Sequence, residues 1–218
     1  MKNNRTFQLL VIYTTVLMFN LTAVSGQTTN QDSSEISVPV NILKSYVGRY
    51  DYGQGTVNMV TLEGKQLITQ LTGQDQVPVF PISADEFYPK IADARLKFVK
   101  DGNGNVISLI HKQNGMEITA SKLPEEKPVT IDPAVFGKYI GKYDWGGNGL
   151  IVVSLKENKL FVQGLGLPPY QLLPASETEF FIMEANGRLT FNISEGGTSD
   201  SISVNLAGYV STAMKVKE

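Results

Sequence analysis

Residues 136–216 lie on residues 43–123 in constant register and without a gap, and this internal copy limits the available folds more than any other feature of the chain. The stretch YVGRYDYG, Tyr46 to Gly53, returns as YIGKYDWG, Tyr139 to Gly146. Further on, Leu62, Leu67, Gln70 and Gly73 meet Leu155, Leu160, Gln163 and Gly166, and Arg95, Leu96 and Phe98 meet Arg188, Leu189 and Phe191. A period this long copies a whole domain rather than a solenoid unit. Whatever one copy folds into must therefore be stable at that size and be made twice.

Within the first copy, short apolar or alternating runs are cut by Gly, Asn, Asp and Pro, the pattern of a strand meander. The expected strands are 46–52, 56–62, 66–72, 77–82, 86–91, 95–100, 106–112 and 116–122. Asp101-Gly102-Asn103-Gly104 and Asn114-Gly115 carry hairpin chemistry, because Gly and Asn accept positive φ. Eight short strands suffice to close a small barrel and remove exposed sheet edges. Helical periodicity is nearly absent beyond the N-terminus. A short turn is expected at 132–139, with Asp132 as N-cap and Pro133 at the first helical position, and another at 40–46.

The N-terminus has Lys2 and Arg5, then an apolar run from Phe7 to Leu21, then small residues ending at Ser25. That order predicts a signal peptide over 1–26 and export to the periplasm or extracellular space, the run being shorter than the ~20 residues of a membrane span. A polar leader follows at 27–41, then barrel copy 1 at 42–123, a proline-bracketed linker at 124–132 and barrel copy 2 at 133–218. The 218 residues contain no cysteine, so no disulfide can staple either copy. With 42% hydrophobic residues and a net charge of -2, the chain can build packed cores and lacks the basic excess of a nucleic-acid binder.

Period-two alternation places Tyr46, Gly48, Tyr50 and Tyr52 on one face of the first strand, and Tyr139, Tyr143 and Trp145 on the equivalent face of the second copy. Two readings are open. The rings line a lumen that holds a small apolar ligand, with Gly48 and Gly141 leaving room; or they fill the barrel, and the glycines let a ring from a neighbouring strand cross the backbone. Arg49 with Asp51, and Lys142 with Asp144, read as solvated pairs on the outer face. Asp85 with Glu86, and Glu177 with Glu179, have no neighbours suited to acid–base work. His111, the single histidine, reads as an exposed strand-end residue and rules out a two-histidine metal site within one chain. No G-x-S-x-G, S-x-x-K or phosphate-cradling loop occurs. No catalytic residue, metal or cofactor is expected.

The runs YVGRYDYG, VTLEGKQLITQLTGQ, VPVFPISADEFY, ARLKFVKDGNGNV and HKQNGMEITASK resemble the domain of unknown function that follows serine beta-lactamase-like hydrolase domains of the class C and penicillin-binding type. The resemblance implies two tandem, eight-stranded, antiparallel, lipocalin-like barrels and an accessory role without catalytic residues. The S-x-x-K of that hydrolase does not occur in these 218 residues, and the second copy has VNLAG where the first has HKQNG. The expected function is thus an exported, non-catalytic accessory protein whose partner is an envelope serine hydrolase, the alternative being a binder of a small apolar ligand.

Overall fold

The computed structural model describes residues 36–164 and 166–217; the expected signal peptide and most of the leader lie outside them. In the first copy Gly48–Gly53 (β1), Thr56–Glu63 (β2), Gln66–Leu71 (β3), Val77–Pro81 (β4), Glu86–Pro89 (β5), Ala94–Lys100 (β6), Val106–Gln113 (β7) and Met116–Lys122 (β8) follow one another. Each strand pairs with the next, and β8 returns antiparallel to β1 to close a barrel. The hairpin from β7 to β8 turns on Asn114 at φ 51° and Gly115 at φ 75°, the two positive values that a tight hairpin requires. The strand expected over 46–52 starts later than read, because Val40–Tyr46 forms a helix, α1, that caps this end of the barrel. Tyr46 therefore enters the core from α1 and not from a strand.

The second copy repeats the plan. Pro133–Lys138 is a 3-10 turn whose N-cap, Asp132, accepts from Ala134 N at 2.9 Å, as its sequence predicted. Gly141–Asp144 (β9), Leu150–Lys156 (β10), Lys159–Gln163 (β11), Tyr170–Gln171 (β12), Leu173–Pro174 (β13), Glu179–Ile182 (β14), Gly187–Ile193 (β15), Ser199–Leu206 (β16) and Tyr209–Lys215 (β17) form one sheet. It runs from β12 through β9 and β17 round to β13. The ninth strand arises because the counterpart of β4 is interrupted at Leu172, so that Tyr170–Gln171 pairs with β11 and Leu173–Pro174 with β14. Both copies are thus antiparallel barrels, as the strand pattern implied.

Aromatic rings fill the capped end of each barrel. Tyr46 stacks on Phe98 with centroids 4.2 Å apart, and Phe87 meets both edge-on. Tyr50 Oη donates to Tyr46 O at 2.7 Å, and Tyr143 Oη donates to Tyr139 O at the same distance. Each tyrosine places a large apolar area in the core and satisfies its hydroxyl on a backbone carbonyl. Burial raises the pKa of all four phenols, so they remain neutral donors. Gly48 and Gly141, at φ 147° and 152°, make room for a lysine stem and not for a ring: an added Cβ would lie 2.6 Å from Lys122 Cε and 2.7 Å from Lys215 Cε. The Lys122 and Lys215 ammonium groups then sit 5.8 and 5.7 Å from the centroids of the Tyr50 and Tyr143 rings.

The two barrels are tied through the outer face of β1. Arg49 is 4% exposed rather than solvated, and Asp51 is not its partner. Its guanidinium donates to Ile182 O at 3.1 Å, Ala185 O at 2.8 Å and Glu126 Oε1 at 2.9 Å. Glu126, from the linker, also binds Arg188, so one carboxylate joins an arginine from each barrel. Asp51 Oδ2 accepts from Asn186 Nδ2 at 3.1 Å, Thr72 Oγ1 donates to Glu184 O at 2.5 Å, and Asn186 N donates to Gly55 O at 2.9 Å. Lys142 and Asp144, the equivalent pair, are exposed as read. Sequence places these charges identically in both copies; only packing makes one pair interfacial. Arg49→Ala leaves two carbonyls and a carboxylate without their donor and is expected to cost about 3 kcal/mol. Lys142→Ala is expected to cost less than about 0.5 kcal/mol, both read from urea unfolding.

Candidate functional site

The end of the first barrel opposite α1 is lined by polar side chains, and register shows why they point inward. Residues directly opposed across an antiparallel pair share a face. Asn58 opposes Tyr50, Thr69 opposes Val60, His111 opposes Leu96 and Gln113 opposes Ala94, each of the four partners being buried in the core. Tyr52 lies two residues beyond Tyr50 on the same face of β1. Five inward positions at this mouth are therefore a phenol, two carboxamides, a hydroxyl and an imidazole.

Four of them form a chain. Thr69 Oγ1 donates to Asn58 Oδ1, Asn58 Nδ2 donates to Tyr52 Oη at 3.2 Å, and Tyr52 Oη lies 3.2 Å from His111 Nδ1. The Tyr52 and His111 rings meet edge-on, with centroids 6.0 Å apart. Burial raises the Tyr52 pKa, partly offset by Asn58, and burial lowers that of His111, partly offset by Gln113. The cluster is thus uncharged near neutral pH. The Gln113 carboxamide faces the imidazole outside hydrogen-bond geometry, and its Oε1 is buried without a partner among the described residues. His111 is half-buried inside the barrel, which corrects its reading as an exposed strand-end residue: its neighbour Lys112 takes the outward position and pairs with Glu117 at 2.9 Å.

The second copy answers the same five positions with Trp145, Ile151, Val162, Val204 and Leu206. The first four are buried in its core and Leu206 packs against it. Trp145 Nε1 finds Ser211 Oγ at 2.8 Å, so even its polar atom is satisfied within the barrel. This end also faces the first barrel: Leu206 lies against Gly55, and Ala207 N donates to Asn186 O beside the inter-barrel tie.

Both copies match one family model, the domain of unknown function DUF3471, over residues 32–122 and 125–218. The chain belongs to the DUF3471 family. No curated protein matches it. Within this DUF3471 tandem the predicted lumen residues separate into two groups. Tyr46, Tyr50, Tyr139 and Tyr143 are buried plugs of the capped ends, each hydrogen-bonded to a backbone carbonyl. Trp145 plugs the second mouth, and Tyr52 alone belongs to the polar cluster. Asp85 and Ser83 hydrogen-bond each other, and Glu179 pairs with Arg188 at 2.7 Å, which gives these carboxylates structural partners. Sequence reasoning passed over Asn58, Thr69 and Gln113. Their signal was the inward register of each strand compared position by position between the copies, of which only the HKQNG against VNLAG difference was noticed.

Because the folded chain holds His111 below its ordinary value of 6.5, the unfolded chain takes up the proton first. Its contribution to stability is complete above about pH 6.5 and is lost as pH falls through the window between the two values. Urea midpoints measured from about pH 7.5 down to about pH 5.5 are expected to fall more steeply for the parent protein than for His111→Val.

Proposed function

We propose that this DUF3471 tandem is an exported, non-catalytic binding protein whose binding end is the mouth of the first barrel. The observation that carries the reading is the contrast at five equivalent positions: polar in one copy, apolar in the other. The second copy demonstrates that the barrel packs well with apolar residues there, so the polar set is not a requirement of the fold. Polar groups half-buried without full pairing cost stability, and sites that do so are typically retained for binding. In this reading the second barrel is a brace, held by Arg49 and Glu126, with its own mouth packed shut.

The two copies supply the test. Replacing the first set by the second, as Tyr52→Trp, Asn58→Ile, Thr69→Val, His111→Val and Gln113→Leu together, is expected to leave the urea midpoint unchanged or raised, since exchanging both partners of buried polar pairs for apolar groups is close to neutral. A loss above about 2 kcal/mol would make the five residues structural and overturn the reading.

A second reading concerns the partner. The resemblance to modules that accompany serine beta-lactamase-like hydrolases supports an accessory role toward such an enzyme in the envelope. An exposed apolar strip supports it too: Leu150 and Met214 flank Asp144 at 51% and 58% exposure, with Val210 further along β17 at 67%. Purified protein is expected to leave a chromogenic beta-lactam and a nitrophenyl ester intact, and to change the turnover of a co-purified envelope hydrolase. Substrate cleavage by the purified chain itself would sink the non-catalytic reading.

A further inference from the structure

We infer that the mouth of the first barrel recognises an uncharged ligand through an N–H or O–H group, with Gln113 Oε1 as the acceptor and His111 as the adjacent donor. The inference rests on the reading of this mouth as the binding end and names the chemistry that it takes.

The argument follows the hydrogens. Asn58 spends Oδ1 on Thr69 and one Nδ2 hydrogen on Tyr52. The Tyr52 oxygen is thereby an acceptor, and its own proton has His111 Nδ1 as partner at 3.2 Å. An imidazole that accepts at Nδ1 carries its proton on Nε2 while neutral. The chain Thr69, Asn58, Tyr52, His111 thus runs in one direction and ends on a donor. Beside it lies a buried carbonyl oxygen, Gln113 Oε1, with no donor in hydrogen-bond geometry among the described residues. A buried acceptor without a donor is unfavourable, a deficit that a ligand hydrogen removes.

Donor and acceptor side by side match a carboxamide or a hydroxyl, each of which both gives and takes a hydrogen bond. Charge selects further. Among the groups that face His111 from β1, β2, β3 and β7, namely Tyr52, Asn58, Thr69 and Gln113, none is ionised near neutral pH. A carboxylate would meet the Gln113 carbonyl and find no cation, and an ammonium would find no counter-ion; burying either unpaired is costly. At the same end of the barrel Ile91 and Met116 are 65% and 47% exposed, which offers apolar contact to the remainder of such a ligand.

His111 is the chain's single histidine, so protein labelled with 15N-histidine gives one imidazole to follow by NMR. Nδ1 is expected to show the shift of an unprotonated nitrogen, and Nε2 that of a protonated one. Addition of N-acetylglucosamine or N-methylacetamide is expected to shift Nε2, and Gln113→Leu to weaken that response at least tenfold while the variant keeps its fold by circular dichroism. Acetate and methylammonium are the charged counterparts. Shifts with these and not with the neutral probes would overturn the uncharged class and leave the mouth as a binding end. Silence toward all four, or a Gln113→Leu variant that responds like the parent, overturns the inference; the fivefold exchange judges the mouth separately.

Discussion

Everything in this molecule depends on an aromatic plug that each barrel makes for itself. With no cysteine to staple it, a barrel of this size is held by packing, and the plug concentrates that packing at one end. A tyrosine delivered by the helix or turn before the first strand lies against a phenylalanine of the sixth strand, and a second tyrosine bonds to the first residue's carbonyl. The ring contributes apolar burial while the hydroxyl fixes the capping segment to the first strand. The lysine stem that crosses the glycine closes the same corner and explains why glycine stands there in both copies.

With stability secured at the capped ends, the opposite ends became free to differ. In the second copy that end is apolar and meets the first barrel through Leu206, which lies against Gly55 in the turn after β1. In the first copy it carries a directed chain of hydrogen bonds and a Gln113 carbonyl without a partner among the described residues. In the proposed reading duplication divides the labour: one copy supplies rigidity, and the other keeps a surface for binding. The tie through Arg49 and Glu126 matters because it joins an arginine of each barrel to one linker carboxylate.

Much of the fold was legible in sequence because turns and alternation are local properties. Asn114-Gly115 specifies its hairpin whatever lies beyond it, and the eight strands of the first copy fall within a few residues of their expected places. The start of β1 was misplaced because alternation through Tyr46 reads the same whether that ring arrives from a strand or from the last turn of a helix. The break at Leu172 was invisible since it depends on which strand each half pairs with, β11 on one side and β14 on the other. Of the candidate site only Tyr52 was legible. HKQNG differs from VNLAG, yet His111 reads as an exposed strand end from its neighbours alone; Asn58 and Thr69 lie on strands distant in sequence, and only the pairing register brings them to the same ring.

By itself the sequence determined that one β-module was made twice, that each would close into a small barrel, and that packing alone would hold it, because period, turn chemistry and the lack of cysteine act without reference to distant residues. Tertiary structure alone decided the fate of identical positions. Arg49 is buried between barrels while Lys142 stays in water; Tyr52 joins a polar chain while Trp145 seals a core. Position along a strand sets the direction in which a side chain points, but the neighbour it meets is set by docking and register, and that neighbour decides whether a charge is solvated or structural.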